Sequence, residues 1–422
     1  MKTNPIKIIS IVVIILSLLI ISVIVYQQRS TIVANTLQTG KNIVNLFPLG
    51  TANKKPIWNS TGSSTDSTLA GGGESSVPKI EFEKITDNPV ASADVIDLPG
   101  ASSTLIYVEK ATGNIFQIKN SGQAERISNL TIPEVFDAYF GLDKSKNIRV
   151  VVRSVVNDQL QAVILNLNNT TAFGTSSDTS LNITKKPLAS NIKSIAISPK
   201  KDQLLFVEDL GSRAVAYITD WDLKNKKIVT VLPFKDWIIS WPNKDIVVFQ
   251  TKASSDVSGS VYYLNLKDGS FKRIGNNILG LTTKVSPDTK NAIYSSSIGQ
   301  TFNLAVRNII TNKAVNYSPK TLPEKCQWFS NSTAFVCAVP SSLPLSAYPD
   351  DWYQGNISFE DSIWLYYTAN AQSTLLHNPE IVTTGLDLLP QATDDFYNFY
   401  FIDKKTSKLY RLNGDAVFDP GA

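Results

Sequence analysis

The sequence predicts an all-β protein, a seven-bladed β-propeller with one transmembrane helix at its N-terminus. Three observations lead to this fold class. A module of four short strands recurs along residues 80–422, small polar and β-branched residues typical of turns and strands are abundant, and residues 8–26 form an uncharged apolar run. Six or eight blades stay open as alternatives, because two intervals between modules are longer than the others.

The apolar run at residues 8–26 is long enough, as a helix, to cross the hydrocarbon core of a bilayer. Lys2 and Lys7 precede it and Arg29 follows it, so the positive-inside tendency predicts a cytoplasmic N-terminus and an extracytoplasmic remainder. The alternative is a cleaved signal peptide, although the run exceeds the usual apolar length of such peptides. We therefore assign residues 1–28 to a cytoplasmic tip and a signal-anchor helix in the cytoplasmic membrane.

Residues 29–79 are predicted to form a flexible tether. Within them, residues 59–76 are almost entirely serine, threonine, glycine and small polar groups. Such a composition cannot bury enough apolar surface to offset the entropy of ordering. The propeller domain is therefore expected to begin at about residue 80.

The repeated module is defined by a polar turn between its first and second strands. Seven such turns can be placed in the sequence, at blade-sized intervals with two longer gaps. They lie near Gly100, Lys144, Lys200, Asn243, Asp288, Asn331 and Thr393. The strand after each turn is apolar on nearly consecutive positions, as in QLLFV at residues 203–207. This pattern predicts a strand that is covered on both faces by neighbouring sheets.

The modules resemble the blades of TolB-like and WD-repeat β-propellers. The likeness is clearest in ISPKKDQLLFVE at residues 197–208, in VSPDTKNAIYSS at residues 285–296 and around Trp221-Asp222. It extends over residues 80–412. Similarity to TolB-like propellers implies protein partners.

Closure of the ring is predicted to use the N-terminal end of the domain. The last module supplies three clear strands, whereas residues 80–89 resemble an isolated fourth strand. Pairing the two chain ends in one blade would remove the exposed edges of an open array. A competing closing strand lies at residues 416–418.

The two cysteines, Cys326 and Cys337, flank a predicted hairpin. A two-residue turn at Asn331-Ser332 would place them directly opposite each other on antiparallel strands. A cross-strand disulfide is then geometrically feasible, and an oxidising compartment would permit it. The alternative is two small buried thiols packed inside a blade.

Residues 339–361 form the richer of two insertions and contain a candidate partner-binding loop. Its candidate residues are Tyr348, Asp350, Asp351, Trp352 and Tyr353. Long loops that carry aromatic residues on a rigid scaffold often bind partners. The alternative is that the same rings cap the core of the blade or plug the central channel. The other insertion, residues 166–182, is polar and is expected to be a surface loop.

Several classes of chemistry are not expected. The net charge of +4 is spread along the chain, which argues against a nucleic-acid partner. The single histidine, His377, has no nucleophile motif beside it, the cysteines lack zinc-site spacing, and no phosphate-binding glycine pattern is present. The sequence therefore predicts neither an enzyme nor a bound metal or cofactor.

The predicted function is a binding or scaffold module, anchored by residues 8–26, that engages an envelope protein or glycan. One alternative is an envelope hydrolase or lyase with its site at the mouth of the channel. A buried cluster of unpaired carboxylates on the channel axis would favour that enzyme. A second alternative is a structural component of surface-appendage or secretion machinery. A propeller fold alone does not decide among them.

Overall fold

The computed structural model describes residues 80–98, 103–118, 122–168, 182–378, 385–394 and 398–413. Within these residues, 28 strands form seven sheets of four strands each. This confirms the all-β class and sets the blade count at seven. The predicted anchor at residues 8–26 and tether at residues 29–79 lie outside the described residues. None of the helices in the described part of the chain is long and apolar enough to cross a membrane.

Blades 1 to 3 follow the first strand, β1 (Glu81–Lys84), and each uses four consecutive strands. Blade 1 contains β2 (Val90–Ile96), β3 (Thr104–Glu109), β4 (Ile115–Ile118) and β5 (Ala124–Arg126). Blade 2 contains β6 (Val135–Leu142), β7 (Ile148–Val156), β8 (Gln159–Asn168) and β9 (Asn182–Pro187). Blade 3 contains β10 (Ile192–Ile197), β11 (Gln203–Asp209), β12 (Ala214–Asp220) and β13 (Lys227–Leu232).

Blades 4 to 6 repeat the same arrangement. Blade 4 contains β14 (Trp237–Asn243), β15 (Ile246–Thr251), β16 (Ser258–Asn265) and β17 (Phe271–Leu279). Blade 5 contains β18 (Thr282–Val285), β19 (Asn291–Ile298), β20 (Thr301–Asn308) and β21 (Ala314–Asn316). Blade 6 contains β22 (Cys326–Trp328), β23 (Ala334–Pro340), β24 (Asp361–Tyr367) and β25 (Ser373–His377). A 3₁₀ helix (Pro323–Lys325) precedes β22, and a short helix α1 (Asp350–Tyr353) lies between β23 and β24.

Blade 7 joins the two ends of the domain. Its strands are β26 (Leu388–Thr393), β27 (Phe399–Asp403), β28 (Leu409–Asn413) and β1. Strand β1 pairs antiparallel with β28, from Glu81 opposite Asn413 to Lys84 opposite Tyr410. This confirms the predicted closure of the ring by the N-terminal strand. The competing strand at residues 416–418 lies outside the described residues.

The position of a strand in its blade determines its burial. First strands of neighbouring blades contact one another, as β2 contacts β6 and β10 contacts β14, so they form the wall of the central channel. Second strands are the most buried, and every residue of β23 is buried. Outer strands are open to solvent, and every residue of β21 is exposed. The consecutive apolar residues of the second strands are thus explained by blades that pack on both of their faces.

A tryptophan from the Trp221-Asp222 pair ties blade 3 to blade 2. The Trp221 side chain is buried, and its Nε1 donates a hydrogen bond of 2.9 Å to the Lys201 carbonyl oxygen. Its ring packs directly against Gly141 of β6, where no Cβ is present. The glycine in β6 is therefore required by a close approach between two blades.

The two cysteines occupy facing positions of the β22–β23 hairpin, in the register that the sequence predicted. Cys326 and Cys337 are joined by a disulfide, with their Cα atoms 4.0 Å apart. Both side chains are fully buried. The bond therefore fastens the innermost strand of blade 6 to the strand behind it.

Reduction of this disulfide is expected to lower the free energy of unfolding by about 3 kcal/mol. The bond closes a loop over a sequence separation of 11 residues, and the loss follows from the entropy that it removes from the unfolded chain. Urea unfolding with and without reductant measures the change, and a Cys326→Ser, Cys337→Ser variant should show no further effect of reductant. Two titratable thiols in the untreated, denatured protein would contradict the prediction.

Candidate functional site in the central channel

A cavity of about 480 Å³ lies against the first strands of blades 4, 5 and 6. Residues from β14, β18, β22 and the 3₁₀ helix line it, because first strands form the channel wall. Its polar and aromatic lining includes Trp241, Gln250, Lys284, Glu324, Gln327 and Trp328. Its size falls in the range of small-molecule sites, and its lining mixes apolar walls with a few polar groups.

Lys284 is the only cationic residue in this lining. Its Nζ donates hydrogen bonds to the Cys326 carbonyl oxygen at 2.6 Å and to Gln327 Oε1 at 2.9 Å. Burial lowers the pKa of Lys284 to about 8, although the charge of Glu324 acts in the opposite direction. The ammonium is thus held against β22 by two bonds, and a third N–H remains for a ligand.

Glu324 is the acidic counterpart of Lys284 in the cavity. It lies in the 3₁₀ helix, and its Oε1 accepts a hydrogen bond from the Tyr353 hydroxyl. Its Oε2 is buried, and the Thr282 hydroxyl also hydrogen-bonds to this carboxyl. Burial raises the pKa of the Glu324 carboxyl, while the Tyr353 hydroxyl and the Lys284 charge act to lower it. The Glu324 carboxyl is therefore held by groups of the protein itself.

The remaining polar groups of the cavity are partly used by the protein itself. Gln250 Oε1 accepts a 2.5 Å hydrogen bond from Thr283, and Trp328 Nε1 donates a 2.9 Å bond to the Lys284 carbonyl oxygen. The Nε1 of Trp241, in contrast, is buried without a partner among the described residues.

Helix α1 contacts one residue of the cavity lining, Glu324, through Tyr353. Asp350 Oδ2 accepts a 2.5 Å bond from the Ser255 backbone N–H of blade 4, while Tyr353 bonds Glu324 near blade 6. The helix therefore bridges the blades on either side of blade 5.

The aromatic side chains of the candidate partner-binding loop are buried. Tyr348 and Trp352 are fully buried and Tyr353 is 8% exposed. The Tyr348 ring packs on Phe302 of blade 5 with centroids 4.8 Å apart. The structure thus supports the interpretation in which these rings pack against the protein's own blades, and contact of this loop with a partner stays a prediction.

The two aspartates of the same loop are half-buried and hold its shape. Asp350 bonds blade 4, as described above. Asp351 accepts bonds from the Ser346 hydroxyl and from the Ala347 backbone N–H, the latter at 2.9 Å. Hydrogen bonds from Ser346 and Asn356 lower the pKa of Asp351. Both carboxylates therefore serve the local fold of the insertion.

A buried ion network joins this insertion to blades 6 and 7. Lys325 Nζ lies 2.7 Å from Asp361 Oδ2 and 2.5 Å from Asp387 Oδ1, and all three side chains are fully buried. Trp352 Nε1 donates a 3.0 Å bond to Asp387 Oδ2, and Lys404 Nζ donates to the Trp352 carbonyl oxygen. This network fixes α1 in place against blades 6 and 7.

The charges in the buried ion network shift one another's pKa values. Burial opposes charge on Lys325, but the two carboxylates outweigh it and raise the pKa of Lys325. Burial raises the pKa of Asp361 to about 7 despite Lys325. Burial acts in the same direction on Asp387, but Lys325 overcomes it and lowers the pKa of Asp387. Lys325 therefore lowers the pKa of Asp387 below its ordinary value, but it does not prevent burial from raising the pKa of Asp361.

The sequence did not single out the cavity residues. Lys284, Glu324 and Trp241 lie in three different modules, and none belongs to a recognisable motif. Their shared position in or just before a first strand is the one signal that could have found them, because that strand faces the channel. Among the residues that the structure describes, no group of histidine, cysteine or acidic side chains could hold a metal ion.

No protein-family model matches the sequence, and no curated protein matches it. Solved structures of other proteins are similar to this chain. An oligogalacturonate lyase from Vibrio parahaemolyticus is 13% identical, with a TM-score of 0.51 over 79% of this chain and 97% of the lyase. An oligogalacturonate lyase in complex with manganese is 9% identical, with a TM-score of 0.53 over 79% of this chain and 96% of the lyase.

TolB from Acinetobacter baumannii also matches, at 12% identity and a TM-score of 0.39 over 76% of this chain. The chain spans 62% of the length of TolB. The protein has a seven-bladed β-propeller fold. At these identities the comparisons bear on the fold alone, and the predicted propeller is confirmed.

The low pKa of Lys284 gives a measurable pH dependence. Reductive ¹³C-methylation followed by NMR should show two methyl-lysine signals that titrate near pH 8, from Lys284 and Lys404. Only the first should disappear in Lys284→Met, and both should remain in a Lys200→Met control. Because this pKa is lower in the folded than in the unfolded chain, the contribution of Lys284 to stability should rise between about pH 8 and 10.5. A Lys284 signal that titrates near pH 10.5 would contradict the prediction.

Proposed function

We propose that the protein is a binding module of the cell envelope, held at the cytoplasmic membrane by residues 8–26, with its propeller on the extracytoplasmic side. Its ligand, an envelope protein or glycan, binds in the channel cavity at blades 4 to 6. The cavity of about 480 Å³, with Lys284, Glu324 and two tryptophans in its lining, supports this best.

The disulfide between Cys326 and Cys337 supports an extracytoplasmic location. Structural disulfides persist in oxidising compartments and are rare in the cytosol. Protease added to intact spheroplasts should digest the propeller domain if it lies outside the membrane. A propeller that becomes accessible only after the membrane is permeabilised would contradict this location.

A cavity-filling substitution tests the binding site. Ser240 is an exposed residue in the lining, and Ser240→Tyr should occupy the cavity without adding charge. The full-length protein in its native membrane is expected to retain envelope components that the variant loses. Ser212→Tyr, in an exposed turn of blade 3, is the matched control. Equal retention by both variants would place the ligand elsewhere.

The Lys284–Glu324 pair favours an envelope hydrolase or lyase as a second candidate. A lysine whose pKa is lowered to about 8 and a carboxyl whose pKa is raised are suited to proton transfer near neutral pH. Release of reducing ends or of unsaturated sugars from envelope glycans would reveal turnover. Catalysis requires that Glu324→Gln abolish this release, whereas retention of ligand without turnover supports the binding module.

A further inference from the structure

The turns at one end of blades 2 to 5 form a continuous lower face. In each blade, the turns from first to second strand and from third to fourth strand lie at this end, because the strands are antiparallel. The described turns are residues 143–147, 198–202, 221–226, 244–245, 266–270, 286–290 and 309–313. Within blade 4, the Leu266 N–H donates a 2.8 Å bond to the Asp245 carbonyl oxygen. Between blades 4 and 5, Asn243 Nδ2 donates a 3.3 Å bond to Thr289 Oγ1, so neighbouring turns share one surface.

The lower face carries an excess of positive charge. Lysines outnumber aspartates in its described turns, which contain no arginine or glutamate. Five of these lysines are exposed and form no ion pair with a described residue, namely Lys144, Lys146, Lys200, Lys244 and Lys313. The upper turns, at the opposite ends of the same four blades, contain nearly equal numbers of basic and acidic residues. The excess therefore belongs to one face of these blades.

The aspartates of the lower face are engaged within the protein. Asp143, Asp268 and Asp288 each accept a hydrogen bond from a backbone N–H of their own turn, at 2.8 to 3.0 Å. Asp245 pairs with Lys267 at 3.0 Å. Carboxylates that cap turns stay close to the backbone, whereas lysine ammonium groups extend on flexible four-carbon stems. A flat anionic surface would therefore meet the ammonium groups first.

An exposed apolar residue lies among these lysines. Ile310, in the β20–β21 turn, is 78% exposed, and its N–H donates a 3.1 Å bond to Asn308 Oδ1. Lys313 ends the same turn, and the Ile309 N–H bonds the Lys290 carbonyl oxygen. Apolar side chains surrounded by lysines are typical of surfaces that bind a bilayer, because anionic headgroups attract the lysines and the acyl boundary takes up the apolar group.

The direction of β1 brings the start of the described chain to the lower end of blade 7. Glu81, the first residue of β1, pairs with Asn413, the last residue of β28. Strand β28 follows the turn at residues 404–408, an upper turn, so both residues lie at the lower end. The predicted anchor at residues 8–26 precedes β1, and the chain therefore joins the domain at this end. A tethered surface needs only weak affinity, since its effective concentration at the membrane is high.

We propose that the lower face of blades 2 to 5 lies on the anionic phosphate headgroups of a phospholipid bilayer; this inference rests on the proposed function, which places the propeller beside a membrane. The five lysines attract the headgroups, and Ile310 enters the boundary between headgroups and acyl chains. Each lysine near such a surface strengthens binding about 5-fold, and the attraction weakens as the salt concentration rises. The upper turns then face away from the bilayer.

Fluorescence energy transfer to labelled lipids tests this placement in full-length protein incorporated into nanodiscs. The two native cysteines form a buried disulfide, so one added cysteine can carry the donor. Ser145→Cys places the donor on the lower face, and Ser212→Cys places it on an upper turn of blade 3. Transfer should be stronger from position 145 when the nanodiscs contain phosphatidylglycerol. The difference should vanish in pure phosphatidylcholine or in about 1 M salt. Equal transfer from the two positions in anionic nanodiscs would overturn the proposal.

Charge reversal tests the lysines. Lys200→Glu, Lys244→Glu and Lys313→Glu together should lower the equilibrium constant for docking at least about 100-fold. The matched control reverses three exposed basic residues of the upper turns, Arg213, Lys235 and Lys252. That control should dock like the unaltered protein, and thermal unfolding checks the fold of both variants. Equal losses in the two triple variants would show that the lower face is not the docking surface.

A pair of apolar substitutions tests the contact with the acyl boundary. Ile310→Ser should weaken docking several-fold, because it removes the apolar group that enters the bilayer. Leu345→Ser is the matched control, since Leu345 is also 78% exposed but lies in the upper connection between β23 and β24. Loss of docking in Leu345→Ser alone would place the upper face on the bilayer instead.

Two further comparisons separate the possible partners and sites. Tighter binding per phosphate of soluble polyphosphate than of anionic nanodiscs, lost in the lysine triple variant, would replace the bilayer with an anionic polymer. Weaker binding of polyphosphate supports the bilayer. Ser240→Tyr should dock normally, because it alters only the cavity. If this variant docks but still retains every envelope component, the cavity site is overturned and the docking face is not. Ligand retention by an unaltered protein that fails to dock overturns the docking face alone.

Discussion

Replacing Lys325 with methionine is expected to lower the free energy of unfolding by about 3–5 kcal/mol. Methionine fills a similar volume, but it leaves Asp361 and Asp387 fully buried without their cation. Removing one partner of a buried ion pair costs more than the pair contributes, because the remaining charge is no longer compensated. Urea unfolding monitored by tryptophan fluorescence measures the loss.

The same variant should show a distinctive pH dependence. Without Lys325, burial keeps the folded-state pKa of Asp361 above the ordinary value of 3.8, while the charge of Lys404 still acts to lower that of Asp387. The folded protein then binds more protons than the unfolded chain, so stability should fall as the pH rises above about 4. Lys267→Met, which removes an exposed ion pair with Asp245, should cost less than about 1 kcal/mol. Equal losses in the two variants would show that the buried ion network does not hold blades 6 and 7 together.

Gly141→Ala is expected to destabilise the propeller by about 1–3 kcal/mol, with a larger loss if the backbone cannot shift. A Cβ at position 141 would lie 2.2 Å from a ring carbon of Trp221 and 2.3 Å from the Lys201 carbonyl oxygen. Neither neighbour can give way easily, because Trp221 is buried and bonded to that same carbonyl. Thermal or urea unfolding measures the loss.

Gly275→Ala in β17 is the matched control for this substitution. Its added Cβ would come no closer than 3.8 Å to any neighbour, which is ordinary van der Waals contact. Alanine should be neutral or slightly stabilising there, because it restricts the unfolded chain. If Gly141→Ala is no less stable than Gly275→Ala, the close approach between blades 2 and 3 is not required for folding.

The sequence predicted the blade architecture because the blade is a local unit. Apolar second strands and polar turns repeat within short stretches, so the period reveals the fold before any contact is known. The closing strand at residues 80–89 was also predicted, since the last module lacked a fourth strand. The facing positions of Cys326 and Cys337 followed from hairpin register, which is likewise local.

The candidate site could not be predicted in the same way. Lys284 and Glu324 come together only when the first strands of separate blades are arranged around one channel. The buried ion network likewise joins Lys325 to Asp387 over a separation of 62 residues. The burial of Trp352 depends on that network, so the sequence left open whether the aromatic loop faces a partner or the core.

Closure of the ring by β1 determines the order in which the blades can be completed. The contact between Glu83 and Arg411 joins residues 328 positions apart, so blade 7 is incomplete until both ends of the domain are available. Six blades can pair strand by strand as the chain emerges, whereas the seventh must wait for its last strands. Removal of β1 therefore exposes the edge of β28, and removal of β28 exposes the edge of β27 and leaves β1 without a partner. The first and last strands of the domain thus depend on each other to complete blade 7.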